Sequence, residues 1–163
     1  MDFMKTILGS GPINSASNMS DNKTSISMVR LDDHVNFKAT NTTGNSILMD
    51  GSEAIGGSGN GVRPMETLLM GVAGCSSIDI VLILKKMKQE LVDIKVEVSA
   101  TRIKVADATE FNTIQVHYDL WGPLKESKVQ QAISMSLEKY CSVSKMLESK
   151  AEITSTYKIH ESA

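Results

Sequence analysis

Only two cysteines occur among the 163 residues. Two cysteines cannot build a disulfide scaffold, and in a reducing compartment they are expected as free thiols whose pairing is transient. The 17 basic residues are set against 19 acidic ones and form no long run, so the footprint of a nucleic-acid backbone or an anionic membrane surface is missing. No secretory segment is evident either. MDFMKTILGSG carries one lysine, and its apolar stretch is too short for a signal-peptide core. A cytoplasmic protein with small-molecule or protein partners is expected.

Other chemistries are excluded by missing spacings. Five glycines fall between Gly51 and Gly61, but Val62-Arg63-Pro64 follows where a phosphate loop needs Gly-Lys-Ser/Thr; the segment predicts a mobile connection instead. No Gly-x-Ser-x-Gly elbow is present for a serine hydrolase. His34, His117 and His160 make no i,i+4 pair, so no metal site and no cofactor are expected, and the three read as exposed strand positions.

What is there suits one folded domain. Hydrophobic residues make up 41% and charged residues 22%, ordinary for a globular chain. Residues 1–23, rich in Gly, Ser and Asn, predict a loose N-terminal arm, and residues 24–163 a single domain. Three short strands open it: Ile26 and Met28 alternate with serine, Val35, Phe37 and Ala39 alternate with polar residues, and Ile47 to Met49 follow the turn at Gly44. Pro64 and Glu66 then suit a first helical turn, and the helix runs to about Glu90. From Leu68 to Leu84 its only charge is Asp79. A helix apolar almost all round must be covered on several sides. A membrane span is the rival, weakened by Gly71, Gly74, Ser76, Ser77 and the carboxylate of Asp79. Two longer alternating strands, Ile94 to Ala100 and Ile114 to Leu120, precede an amphipathic helix from about Lys125 to Ser149, and a last strand carries Ile153 to Ile159. The predicted order is βββ-α-ββ-α-β.

Cys75 falls in the middle of the apolar helix and Cys141 on the core-facing stripe of the second. A buried cysteine is ordinarily an inert small apolar residue, so a reactive one needs a cause. Cys75 lies about three turns in, beyond the reach of the helix dipole, and Asp79 at i+4 opposes its thiolate. Cys141 has Lys145 at i+4 in its favour and Glu138 at i−3 against it. Local charge thus slightly favours Cys141 as the more reactive thiol.

RPMETLLMGVAGCSSIDI, Arg63 to Ile80, and EKYCSVSKML, Glu138 to Leu147, resemble the OsmC/Ohr family. The similarity spans roughly Ser25 to the C-terminus and is closer to a less characterised OsmC-like branch, since Ser142 stands where peroxidase members tend to have proline. The resemblance implies an α+β fold with two long central helices on an antiparallel sheet, in an intertwined homodimer. It also implies thiol-dependent reduction of organic hydroperoxides in oxidative-stress defence. Cys75 matches the attacking cysteine, Cys141 the resolving one and Glu66 the acid at the head of the first helix. A lipoyl or thioredoxin-like dithiol would be the reductant. Peroxidase members orient the thiolate with an arginine in the early strands; Arg30 and His34 are the candidates in that region. Nine residues separate Glu66 from Cys75, which puts them on opposite faces of a straight helix and about 13 Å apart. If Glu66 serves a cysteine site, it would therefore serve the partner subunit's or act through an intermediary. The rival reading is a non-enzymatic dimer that binds a small apolar or sulfur-containing ligand at the helix interface, and both cysteines as plain core residues is a third.

Overall fold

The computed structural model describes residues 23–161, so the expected arm at 1–23 lies outside the described residues except for Lys23. Strands β1 (Ile26–Arg30), β2 (Phe37–Asn41) and β3 (Ser46–Met49) form an antiparallel sheet in that order. Helix α1 (Pro64–Lys86) follows, then the hairpin of β4 (Asp93–Val105) and β5 (Ala108–Trp121). Helices α2 (Glu126–Met135) and α3 (Ser142–Leu147) lead into β6 (Glu152–His160). The α+β architecture and its element order are as expected.

Three details differ. The second sheet, β4-β5-β6, is mixed, because β6 pairs parallel to β5, from Thr113 beside Glu152 to Trp121 beside His160. A crossover through helices returns the chain in the direction in which it left, as parallel pairing requires. The helix expected over 125–149 is broken: residues Ser136–Tyr140 are π-helical, and Cys141, at φ −67° and ψ 100°, leaves helical geometry before α3 begins. The first helix ends at Lys86 rather than near Glu90, with Lys88 in the left-handed region at φ 56°.

The glycine-rich segment is held rather than loose. Asp50, 2% exposed, accepts hydrogen bonds at Oδ1 from the Gly51 N–H (2.7 Å) and at Oδ2 from the N–H groups of Ser58 (2.9 Å) and Asn60 (3.1 Å). The Ser58 hydroxyl adds a fourth at 3.1 Å. Burial alone would raise this carboxyl, but the donors from Asn60, Ser58 and Gly51 outweigh it and hold it below its ordinary value. Beyond the loop, Val62 bridges to Met49, which ties the first sheet to the start of α1.

The core lies between α1 and the second sheet. One stripe of α1, Val72, Ser76, Ile80, Ile83 and Leu84, is at most 1% exposed and faces Ile114, Val116, Tyr118 and Leu120 of β5, also at most 1% exposed. Val129, Ala132 and Ile133 of α2 close it. The other side of α1 is bare, with Leu68, Met70, Ile78, Val81 and Leu82 between 38% and 63% exposed. By length and composition α1 could cross a membrane; its covered stripe packs as that of a core helix.

A Cβ on Gly57 would meet the Gly51 carbonyl oxygen at 2.0 Å. Gly57→Ala is therefore expected to force the loop apart and lower Tm by roughly 5 °C or more, as a thermal melt followed by circular dichroism would show.

Candidate thiol site at the helix junction

The sequence brings its two cysteines together by different local means. Cys75 sits on regular helix at the margin between the covered stripe and the bare side of α1, and it is partly exposed, whereas Cys141 is fully buried. Small residues allow the approach: Gly71, one turn before Cys75, faces the Val143 side chain, which would lie 3.5 Å from a Cβ there. Cys141 N–H donates to the Ser136 carbonyl at 2.8 Å, closing the π-helical turn. Its sulfur then caps α3, accepting from the Ser144 N–H at 3.4 Å and the Ser144 hydroxyl at 3.1 Å. Serine, threonine, aspartate or asparagine usually fills that capping position.

The two thiols lie close enough to influence each other's charge, and the Val143 N–H acts on the Cys75 sulfur as well. Burial pushes the Cys75 thiol up from its ordinary value. The Val143 N–H opposes this, while the Cys141 thiol and the Asp79 carboxyl add to it. Asp79 is itself held above the ordinary carboxylate value by burial, against the Ser136 hydroxyl, which donates to its Oδ2 at 3.2 Å.

A polar seam continues under the pair. Tyr118 O–H donates to Ser76 Oγ at 2.8 Å, and Ser136 Oγ also lies 3.3 Å from the Ser76 carbonyl. Ser76, Ser136, Tyr118 and Cys141 are all fully buried. Burial pushes the Tyr118 phenol up to about 12, with a contribution from the nearby Cys141 and Asp79. Tyr118, Ser136 and Ser144 are not among the expected site residues, although their strand and helix stripe are as expected. Each stands on a core-facing stripe, where a polar residue is the available signal of a partner.

The other expected site residues lie elsewhere. Glu66 Oε2 accepts from the Arg63 N–H at 2.8 Å and caps its own helix. Arg30 ends β1 and His34 lies in the turn after it, and neither bonds to a cysteine. Lys145, expected beside Cys141, pairs with Glu148 at 2.6 Å. Two of the histidines meet at one carboxylate: His160 Nε2 lies 2.5 Å from Asp119 Oδ1, and His117 Nε2 lies 3.7 Å from Asp119 Oδ2, because His117 and Asp119 share the outer face of β5. An apolar cavity of about 410 Å³ lies between the first sheet and Pro64 rather than at the helix junction. Arg63 lines it, and the buried Arg63 Nη1 has no hydrogen-bond partner.

The family model for OsmC-like protein matches residues 57–156, a span that holds both cysteines and the seam beneath them. The chain belongs to the OsmC-like family. Within that family it is 39% identical over 124 residues to protein YhfA of Escherichia coli K12, covering 76% of this chain and 89% of that one. A solved hypothetical protein from Aquifex aeolicus VF5 superposes with a TM-score of 0.75 at 26% identity, over 87% of this chain and 99% of that one. An organic hydroperoxide resistance protein OsmC from Legionella pneumophila shares the fold, with a TM-score of 0.65 at 14% identity over 82% of this chain and 96% of that one.

Tyr118→Phe removes a buried donor from this OsmC-like core and is expected to cost about 1 kcal/mol near neutral pH. The phenol is protonated longer in the folded chain than in the unfolded one. Its contribution is therefore complete below 10.0, the ordinary value, and is lost as pH rises toward about 12. Urea titrations near pH 8 and near pH 11 should show the gap between the two proteins narrowing at the higher pH.

Proposed function

We propose that the chain is a thiol-dependent hydroperoxide reductase working through Cys75 and Cys141. The observation that carries this reading is the proximity of the two thiols, each within the other's electrostatic influence, at the junction of α1 and α3. The partly exposed Cys75 meets the peroxide, and the fully buried Cys141 waits beneath it. The Cys75 thiolate attacks one oxygen of the O–O bond, giving a sulfenic acid and an alcohol. Cys141 then displaces water from the sulfenic acid to form the disulfide, and an external dithiol of lipoyl or thioredoxin-like chemistry takes the oxidation away. The name of the Legionella relative supports a hydroperoxide as substrate. The protein is read as cytoplasmic, where such reductants are found and oxidative-stress defence is needed.

The working unit in this reading is a homodimer formed over the bare side of α1. Five large apolar side chains stand exposed along that helix, and a second copy is the economical cover for them. Glu66 and Arg30 or His34 are then the residues that the partner subunit would bring to Cys75. Sedimentation at micromolar concentration should give a dimer, and Ile78→Glu, altering the most exposed of the five, should shift it toward monomer without unfolding it. A monomeric unaltered protein would overturn the dimer.

Reduced protein mixed with cumene hydroperoxide should lose two thiols and gain a Cys75–Cys141 disulfide by mass spectrometry, faster than a free thiol oxidises. Cys141→Ser should stop at the Cys75 sulfenic acid, and Cys75→Ser should react no faster than the free thiol. The reverse pattern would assign the attack to Cys141.

A second reading is favoured by the cavity beside Arg63: a binding protein for a small apolar ligand, with the cysteines as reduced bystanders. Oxidation no faster than that of a free thiol would leave this one standing.

A further inference from the structure

The Asp79 carboxyl acts on the Cys75 thiol, and the peroxidase reading gives it no task. It stands four residues after Cys75, so its carboxyl lies on the same face one turn away, at about 5–6 Å between Cβ atoms. Two negative charges at that separation in a half-buried site disfavour one another, and the pair is easiest to keep with a single charge and a single shared proton.

Ser136 makes either location of that proton acceptable. Its hydroxyl lies 3.2 Å from Asp79 Oδ2 and 3.3 Å from the Ser76 carbonyl oxygen, with one hydrogen to give. When Asp79 is ionised, Ser136 donates to the carboxylate. When Asp79 is protonated, the hydroxyl turns to the Ser76 carbonyl and accepts from the carboxylic acid. No buried polar group is stranded in either state. A carboxylate placed only for structure would need just one of these arrangements.

We infer that Asp79 is the proton carrier of the Cys75 site: it takes the thiol proton as the thiolate forms and returns it to the alkoxide that leaves. The balance is closed. Cys75–SH and the Asp79 carboxylate become thiolate and carboxylic acid. The sulfur's electron pair then forms the S–O bond as the O–O bond breaks, and sulfur is oxidised as the peroxide is reduced. The leaving alkoxide takes the proton from Asp79, which regenerates the carboxylate. The groups that interact with Asp79 are Cys75 on its own helix, Ser136 on the π-helical turn and Tyr118 on β5, with Cys141 at the head of α3 next to Cys75 and Tyr118. None of these groups, all from the same subunit, is a cation. The inference rests on the peroxidase reading.

Asp79→Asn keeps the shape and an acceptor for Ser136 while removing the exchangeable proton, and two reactions of the same sulfur separate its roles. Iodoacetamide releases iodide, which needs no proton, and during slow alkylation the thiol of the partly exposed Cys75 can lose its own proton to solvent without Asp79, so losing the opposing charge should make Cys75 alkylation about threefold faster or more. Cumene hydroperoxide releases an alkoxide, which needs one, so Cys75 oxidation should become about 100-fold slower. Asp79→Glu should recover most of the oxidation rate, and the rate of Asp79→Asn should lose the acid limb that Asp79 gives the pH profile. Both reactions accelerating in Asp79→Asn would make Asp79 a mere repelling charge and overturn the inference, as would an unchanged oxidation rate. Both reactions slowing together, with no recovery in Asp79→Glu, would assign it a structural role. If the unaltered protein does not react with the peroxide, the peroxidase reading and this inference fall together.

Discussion

Helix α1 is apolar around nearly its whole circumference, and its own chain covers one stripe of it. Most of the structure answers to that imbalance. The covered stripe fixes β5 opposite it, since Ile114, Val116, Tyr118 and Leu120 are the side chains that seal Val72, Ile80, Ile83 and Leu84 from water. The connection from β5 must then cross back over α1, and α2 and α3 do so before β6 returns parallel to β5. Cys75 lies where the covered and bare sides meet, which makes it the cysteine of the two that is both supported from below and open from outside.

The polar seam is the second consequence. A seam through an apolar core is tolerable only when each member is satisfied, and here Tyr118, Ser76, Ser136 and Ser144 all have partners. Those partners come from β5, α1, the π-helical turn and α3, so the seam fixes how these elements meet as well as what the sulfurs touch. A sheet face built only of aliphatic residues would pack as tightly but would specify the junction less narrowly.

The periodic elements were legible in the sequence because their periods reach far along the chain. Alternation over Ile94 to Ala100 and Ile114 to Leu120 located β4 and β5, and the apolar run after Pro64 located α1. The break at Cys141 was not legible. The stripe of Val129, Ala132, Ile133, Ser136 and Leu137 carries on smoothly into Tyr140 and Cys141, and one added residue in a π-helical turn leaves no mark in such a pattern. The role of Asp50 was hidden for another reason. Its four donors come from Gly51, Ser58 and Asn60, and a run of glycines reads as freedom until the carboxylate that gathers it is seen. The pairing of Cys75 with Cys141 came from resemblance, whereas the electrostatic preference for Cys141 leaned on a Lys145 that turns to Glu148 instead.

Because the Cys141 sulfur is the cap of α3, any bond it makes is felt by the helix. A thiol sulfur there accepts from Ser144 N–H and Ser144 Oγ; a sulfur drawn into a bond with Cys75 turns toward α1 and gives up part of that role. The first turn of α3 then has orphan N–H groups, and six residues are too few to hold a helix without its end satisfied. A disulfide between the two would thus be transmitted as fraying of α3 and of the link from Leu147 to β6, so that the bridged and free forms of the chain would differ in the shape of that corner.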